Sequence, residues 1–471
     1  LNLKEIHSVF FLGIGGIGMS ALARWFKHKG YSVSGYDRTA SPLTDELQNE
    51  GIPVMFEDDS CKLPSSLFEN KEALLVVWTP AVPRDSKLYQ FFEREEIQIK
   101  KRSEVLGLLS SENYTVAVAG THGKTTTSSM IAHLLKSANK PVTAFLGGIT
   151  QNYQSNLLIN SSKDKTIMVV EADEFDRSFL RLNPEMEIIT SVDPDHLDIY
   201  GDESSIVEGF REFVGLLKKK GKLFIQDKAL QRLGEPVADK KGISTYGLRA
   251  STGIHADNVK AKPGSFVFDY LDGKMQIKGL ELFIPGFHNV ENALAAIAVA
   301  LHFELTEEQI KTGLASFRGV KRRFEIHLNE SSKVYVDDYA HHPEEIRACL
   351  SSIRAMYPGL KLTVIFQPHL FTRTRDFATG FSESLSLADQ VLLLDIYPAR
   401  ELPIPGVNSE MLLEGIQADT KMAVAKEKLF EVLESLQPEV LVTMGAGDID
   451  RLVPKVKMWI SEMSNSTEQG V

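Results

Sequence analysis

The chain has 471 residues, too many for one hydrophobic core and, at roughly 150 residues per domain, enough for about three. Hydrophobic residues make up 43% and charged residues 24%, ordinary for a soluble globular protein, and a net charge of −11 (63 acidic against 52 basic side chains) argues against a broad nucleic-acid surface while leaving room for a local basic pocket. Cys61 and Cys349 are the only cysteines, and no apolar run approaches a membrane span, so no disulfide framework and no membrane insertion are expected. The opening VFFLGIGG lacks the basic start of a signal peptide, since Lys4 is answered by Glu5. These features predict a cytoplasmic location.

In chain order, SVFFL at 8–12 reads as a buried strand, followed by a glycine-rich turn, a helix over MSALARWFKHKG, and a second strand, YSVSGYD. LLVVW at 74–78 reads as another strand, giving the βα rhythm of a parallel sheet. Gly13-Ile14-Gly15-Gly16-Ile17-Gly18 fits the G-x-G-x-x-G turn, with Asp37 about where a ribose-binding acid is expected. Taken alone this suggests NAD(P), but the same turn holds the diphosphate of other nucleotides, a UDP-sugar among them. The polar stretch SSEN at 110–113 marks a domain boundary near residue 110.

The second segment opens with TVAVAGTHGKTTTSS, a strand, a glycine turn and a hydroxyl-rich helix start. It is a compressed form of G-x-x-x-x-G-K-[ST], with Val118 at the place of the usual first glycine. Such a turn aims backbone N–H groups at a phosphate, Lys124 suits the β- and γ-phosphates of ATP, and Thr125 suits Mg²⁺. Glu171 ends the strand of TIMVVEADE as an oxygen donor for Mg²⁺ would. His196 in DPDHLD reads from its chemistry alone as a capping or packing residue, because imidazole is an uncommon Mg²⁺ ligand. KKKGK at 218–222 reads as a solvated helix end, and the alternating stretch 251–283 as an antiparallel addition.

After FRGVKRRFE the βα rhythm restarts with KVYVDD, LTVIF, QVLLLDIY and EVLVTMG as strands. Three loops there carry polar chemistry: DDYAHHPEE with Asp338, His341 and His342; FQPHLFTRTRD with His369, Arg373 and Arg375; and the glycine-rich TMGAGDID. Arginine forks suit carboxylate or phosphate. The tail SNSTEQGV reads as polar and disordered. Two nucleotide-type loops followed by a third α/β segment with an anion-binding loop argue against a plain NTPase. They point to ATP consumed in joining two other molecules.

AGTHGKTTT, EADEFDRSFL, DHLDIYGD, PGFHNVENALAA, RGVKRRFE, DDYAHHPEEI, FQPHLFTRTRDF and YPARELPIPG occur in this order. Over residues 7–452 the chain thereby resembles the Mur ligases, and within them the branch acting on UDP-N-acetylmuramate and L-alanine. The resemblance implies an α/β protein of three-domain Mur ligase architecture. Its parts would be a Rossmann-like UDP-substrate domain over 1–109, a central P-loop-type ATPase domain over 110–322, and a C-terminal Rossmann-like amino-acid-binding domain over 323–471. It implies an ATP- and Mg²⁺-dependent ligase that activates the substrate carboxylate as an acyl phosphate and adds L-alanine in peptidoglycan synthesis.

By the same resemblance Gly15, Gly16, Gly18, Asp37 and His122 would hold the UDP-substrate. Gly120, Thr121, Gly123, Lys124, Thr125, Thr126, His288, Asn289, Asn292, Arg323 and Asp338 would serve ATP, and Thr125, Glu171 and His196 the metal, which reverses the bland reading of His196. His341, His369 and Arg373 would meet the amino acid, with Lys124, His341 and Arg373 as the catalytic set. Two departures stand out. Leu370 occupies a position where relatives often carry a base, and no lysine lies between Lys165 and Lys218, where several Mur ligases use a carbamylated lysine. The close rival is a recycling ligase that attaches a tripeptide to UDP-N-acetylmuramate. A nicotinamide dehydrogenase would leave GKTTT unexplained, and a non-catalytic nucleotide sensor would bind without releasing ADP. The sequence carries no signal of oligomeric state.

Overall fold

In the computed structural model, residues 2–162, 165–193, 203–330, 333–399 and 401–468 are described. The apolar runs become short buried strands. Ser8–Leu12 (β1), Ser32–Tyr36 (β2), Val54–Met55 (β3), Leu74–Trp78 (β4) and Gln98–Lys101 (β5) form one sheet in the order β3-β2-β1-β4-β5, with every neighbour parallel. A parallel sheet needs crossovers that cover its faces. The helix Ile17–His28 supplies one, burying Met19, Leu22 and Phe26.

The central strands are Tyr114–Ala119 (β6), Val142–Thr150 (β7), Ser155–Leu158 (β8), Ile167–Glu171 (β9), Met186–Ile189 (β10), Lys222–Gln226 (β11) and Ile243–Gly247 (β12). They lie in the order β12-β11-β10-β6-β9-β7-β8, parallel except for β8. Chain reversal beside β6 brings the ends of β6, β9 and β10 together, the usual place for a ligand in an open α/β sheet.

The chain divides into two compact units, Leu1–Gly247 with Ser251–Ile254 and Asn292–Gly313, and Leu248–Ala250 with His255–Glu291 and Leu314–Val471. Within the first, the amino-terminal and central sheets share one core. Trp25 meets Phe145 with ring centroids 6.5 Å apart, and Asn156 on β8 donates to the Ile17 carbonyl at 2.6 Å and the Ser20 hydroxyl at 2.9 Å.

The second unit carries the expected antiparallel addition, Ile254–Lys262 (β13), Ser265–Leu271 (β14) and Gln276–Leu282 (β15). It also holds a sheet of Glu325–Asn329 (β16), Val334–Asp338 (β17), Leu362–Phe366 (β18), Gln390–Leu393 (β19), Thr420–Ala423 (β20) and Val440–Met444 (β21). Its order is β16-β17-β21-β18-β19-β20, with only β16 antiparallel.

SSEN, at the expected boundary, is helical in its first three residues, which close the helix Arg102–Glu112, and the buried Ser110 hydroxyl donates to the Gly107 carbonyl at 2.6 Å. Two local expectations are corrected. KKKGK lies beyond the helix Glu203–Gly215 and leads into β11, with Lys218 paired to Glu185 at 2.5 Å. The tail is helical to Glu468 in Val453–Glu468, where Val456 and Ile460 share a buried face.

Candidate active site

The compressed loop joins β6 to the helix Lys124–Ser137. Gly120 and Gly123 have φ of +140° and +82°, conformations that a side chain rarely adopts. A Cβ at Gly120 would sit 2.1 Å from Thr190 Oγ1, and one at Gly123 would sit 2.9 Å from Asn292 Oδ1. The end of β10 holds the loop in shape. The His122 amide donates to Ser191 Oγ at 2.8 Å, the Asp193 amide to Thr121 Oγ1 at 2.9 Å, and Thr190 Oγ1 to the Ala119 carbonyl at 3.1 Å. Thr125 and Thr126 are buried at the start of the helix, whose N-terminal amides and dipole favour an anion.

Lys124 Nζ donates to the Gly120 carbonyl at 2.6 Å and to Glu174 Oε1 at 2.9 Å. Burial alone would lower its pKa, but Glu174, Asp173 and Glu171 outweigh that and raise it, so the ammonium stays charged. Glu171 closes β9 as the sequence predicts; its Oε2 accepts the Gly147 amide at 3.0 Å. His196 lies outside the described residues.

The glycine turn after β1 is built around Asp37. Gly15 N–H donates to its Oδ2 at 2.8 Å and Thr39 N–H to its Oδ1 at 3.2 Å, so the acid organises the turn that was expected to bind the nucleotide. Gly16 caps the helix Ile17–His28, and a Cβ at Gly18 would lie 2.4 Å from Arg102 Nη1. A cavity of about 140 Å³ is lined by Gly18, Leu22, Arg102, Phe145, Glu171 and Asp173. It runs between the glycine turn at 13–18 and the carboxylates at and after the end of β9.

In the second unit His288 and Asn289 begin the helix Phe287–His302. Burial lowers the His288 pKa to about 4, with Glu345 opposing and Arg323 reinforcing, so the imidazole is neutral near pH 7. Asn289 Nδ2 donates to the Pro285 carbonyl at 2.9 Å. Asp338, at the end of β17, accepts the Phe324 and Ala340 amides at 2.7 Å each. Burial raises its pKa to about 7, against Arg323 and those two amides. Arg323 lies over the Tyr339 ring, 4.9 Å from its centroid.

Of the histidine pair, His342 caps the helix Pro343–Met356, whereas His341 Nδ1 lies 3.0 Å from the Tyr339 carbonyl and 3.3 Å from Glu345. His341 and His369 meet edge to face at 6.1 Å, and His369 stacks on Tyr397 at 5.8 Å. Two loops distant in sequence are thus tied together, since Thr372 N–H also donates to Glu401 Oε2 at 3.0 Å and Leu370 N–H to the Tyr397 carbonyl at 3.0 Å. Arg375 is exposed and paired with Asp376 at 2.7 Å, while Arg373 is partly buried. The cluster Glu325, His327 and Asp337 has metal-ligand chemistry, but Arg322 at 3.2 Å and Thr443 at 2.6 Å already satisfy Asp337.

Sequence reading missed Glu174, Asp173, Thr190, Ser191, Arg102 and Glu401. The density of acids in EADE and the Thr-Ser at the end of β10 were the available signals.

A Lys-bearing phosphate loop in an open α/β unit, with a second Rossmann-like unit carrying anion-type loops, defines the class of nucleotide-dependent α/β ligases. Family comparison agrees. Residues 8–114 match the model described as Mur ligase family, catalytic domain; 118–300 match the Mur ligase middle domain; and 322–447 match the Mur ligase glutamate ligase domain. The chain belongs to the Mur ligase family, whose members are ATP-dependent ligases.

Curated relatives include the UDP-N-acetylmuramate–L-alanine ligases of Christiangramia forsetii (47% identical, covering 97% of this chain and 98% of the relative) and Flavobacterium psychrophilum (48%, covering 98% and 100%). Among solved structures, the UDP-N-acetylmuramate–alanine ligase of Thermotoga maritima superposes with a TM-score of 0.78 at 28% identity, covering 98% of this chain and 99% of that one. A murein peptide ligase from Psychrobacter arcticus shares the fold, with a TM-score of 0.66 at 22% identity, covering 96% and 98%. Among the described residues no helix is long and apolar enough to cross a membrane.

Proposed function

We propose that this protein joins L-alanine to the carboxylate of UDP-N-acetylmuramate with cleavage of ATP to ADP and phosphate, the first stem-peptide step of peptidoglycan synthesis, in the cytoplasm. The observation that carries this reading is likeness to ligases of that name at 47–48% identity across 97–98% of the chain, in a protein whose Lys124 loop is intact. The domain limits 1–109, 110–322 and 323–471 belong to the same proposal.

The glycine turn at 13–18 and the cavity beside Arg102 suit the UDP-substrate, with Gly15, Gly16, Gly18, Asp37 and His122 as its holders. The loop Gly120–Thr126, Asn292, His288, Asn289, Arg323 and Asp338 serve ATP. The substrate carboxylate attacks the γ-phosphorus in line; a new C–O–P linkage forms and ADP departs. Lys124 stabilises charge gathering on the transferred group. The amine of L-alanine then attacks the acyl carbon, and phosphate leaves from the tetrahedral intermediate. His341, His369 and Arg373 receive the amino acid, Arg373 through its carboxylate.

The residues fit Mg²⁺: one Glu171 oxygen takes the Gly147 amide and the other accepts no hydrogen bond from the described residues, leaving a hard donor for a cation. Thr125, Glu171 and His196 would hold it, and when bound it would neutralise phosphate charge.

The test is ADP release from ATP, Mg²⁺ and UDP-N-acetylmuramate, with L-alanine or the L-Ala-γ-D-Glu-diaminopimelate tripeptide supplied separately. Release with alanine is expected. Release with the tripeptide alone would move the protein to recycling, and silence with both would sink the ligase reading.

A further inference from the structure

Lys124 Nζ has three N–H bonds, and the protein itself provides an acceptor for each: the Gly120 carbonyl at 2.6 Å, the Glu174 carboxylate at 2.9 Å and the Thr121 carbonyl at 3.4 Å. The second Glu174 oxygen lies 2.8 Å from the same nitrogen. Glu174 is 1% exposed and sits between β9 and the 3₁₀ turn Phe175–Arg181, outside the loop that wraps the lysine. An ammonium so engaged reaches a phosphate only by giving up an acceptor. The two carbonyls belong to the lysine's own loop, within four residues of it, and move with it. Glu174 is the separable partner.

We infer that Glu174 is a positioning residue that stands in for the γ-phosphate. Its carboxylate holds the Lys124 ammonium while the loop is empty, yields it to ATP, and retakes it when ADP leaves. The inference rests on the ATP-dependent ligase reading and adds to it a residue acting through Lys124. It explains why a buried acid faces a site for a polyanion. Binding exchanges one ion pair for another, so little of the lysine's attraction appears as affinity, and product release is not opposed by a naked ammonium. A buried lysine stripped of its counter-charge would otherwise be both costly and a strong anion trap.

The variant that decides is Glu174→Gln in the full-length protein, which keeps shape and removes charge. Titrated with a fluorescent non-hydrolysable ATP analogue and Mg²⁺, it should bind about tenfold more tightly than wild type, because the competing anion is gone. In turnover the KM for ATP should fall while kcat falls or stays level, as ADP leaves more slowly. A purely structural glutamate would instead give unchanged or weaker binding, and that result overturns the inference. Glu174→Asp, which keeps the charge but withdraws it by one methylene, should bind the analogue with an affinity between the two. If the glutamine variant does not fold, the aspartate variant decides, and binding no tighter than wild type overturns the inference. Failure of wild type to bind the analogue would sink the ATP reading itself; binding by wild type without tightening in the variants sinks only the role of Glu174.

Discussion

Lys124 shows how a single side chain can be ordinary in sequence and constrained in structure. Its loop glycines were legible, because φ values of +140° and +82° leave few alternatives to glycine. Its acidic partner was not, since Glu174 lies fifty residues away and nothing local marks which acid of EADE turns inward. Lys124→Ala should abolish ADP formation while leaving UDP-N-acetylmuramate binding unchanged by calorimetry; lost binding would mean that the turn at 13–18 is not the UDP site. Arg373→Ala should raise the KM for L-alanine at least tenfold with a smaller effect on kcat, since one charge-assisted contact is worth about 1.5–3 kcal/mol. An unchanged KM would remove Arg373 from the acceptor site.

His288 offers a pH test at the same scale. Its pKa falls to about 4 in the folded protein, so the folded state resists a proton that the unfolded chain accepts near 6.5. The stability it contributes is complete above pH 6.5 and is lost as pH falls from there towards 4, by up to about 3 kcal/mol. The difference in Tm between wild type and His288→Asn should therefore shrink over that interval. A difference independent of pH would mean that the imidazole is not held neutral.

At the scale of elements, strands were the most readable feature. SVFFL, LLVVW and LTVIF are apolar because parallel strands are covered on both faces, and each forms where expected. Helix ends were less readable. The polar SSEN gave no sign that the helix runs on to Glu112, where the Ser110 hydroxyl bonds back to its own helix and lets a polar residue be buried. Leu370, with φ of +69°, carries no glycine to announce its turn, so the tie between the 366–376 and 397–406 loops could not be foreseen.

Two element-scale outcomes follow. A Cβ at Gly107 would stand 2.4 Å from the Arg181 carbonyl, so Gly107→Ala should cost about 1–3 kcal/mol in a denaturant titration. No loss would mean that the helix and the 3₁₀ turn do not pack as described. Glu187 on β10 is wholly buried with neither oxygen hydrogen-bonded, and burial pushes its pKa well above the usual carboxylate range despite Lys240. Its folded form keeps a proton that the unfolded chain loses, so stability falls as pH rises through that range. Glu187→Leu should raise Tm by a few degrees, more at pH 8 than at pH 5. The reverse order would contradict a neutral buried acid.

At the scale of the whole molecule, the three family domains fold into two compact units, because the helix Ile17–His28 and the strands β7 and β8 share one core. The glycine turn at 13–18 and the phosphate loop therefore belong to one body. The polar loops at 337–345 and 366–376 belong to the other unit. The motif order of a ligase was legible in the sequence, whereas this merging was not, since it depends on contacts such as Trp25 with Phe145 that no single motif encodes.

In the proposed mechanism the substrate carboxylate takes the γ-phosphoryl group before alanine attacks. Turnover of UDP-N-acetylmuramate carrying ¹⁸O in that carboxylate, with ATP, Mg²⁺ and L-alanine, tests it most directly through the mass of the released phosphate. One labelled oxygen in each phosphate, with alanine joined to the sugar nucleotide, is the expected result. Unlabelled phosphate accompanying ADP would show that water, and not the carboxylate, attacks ATP, and would contradict the mechanism.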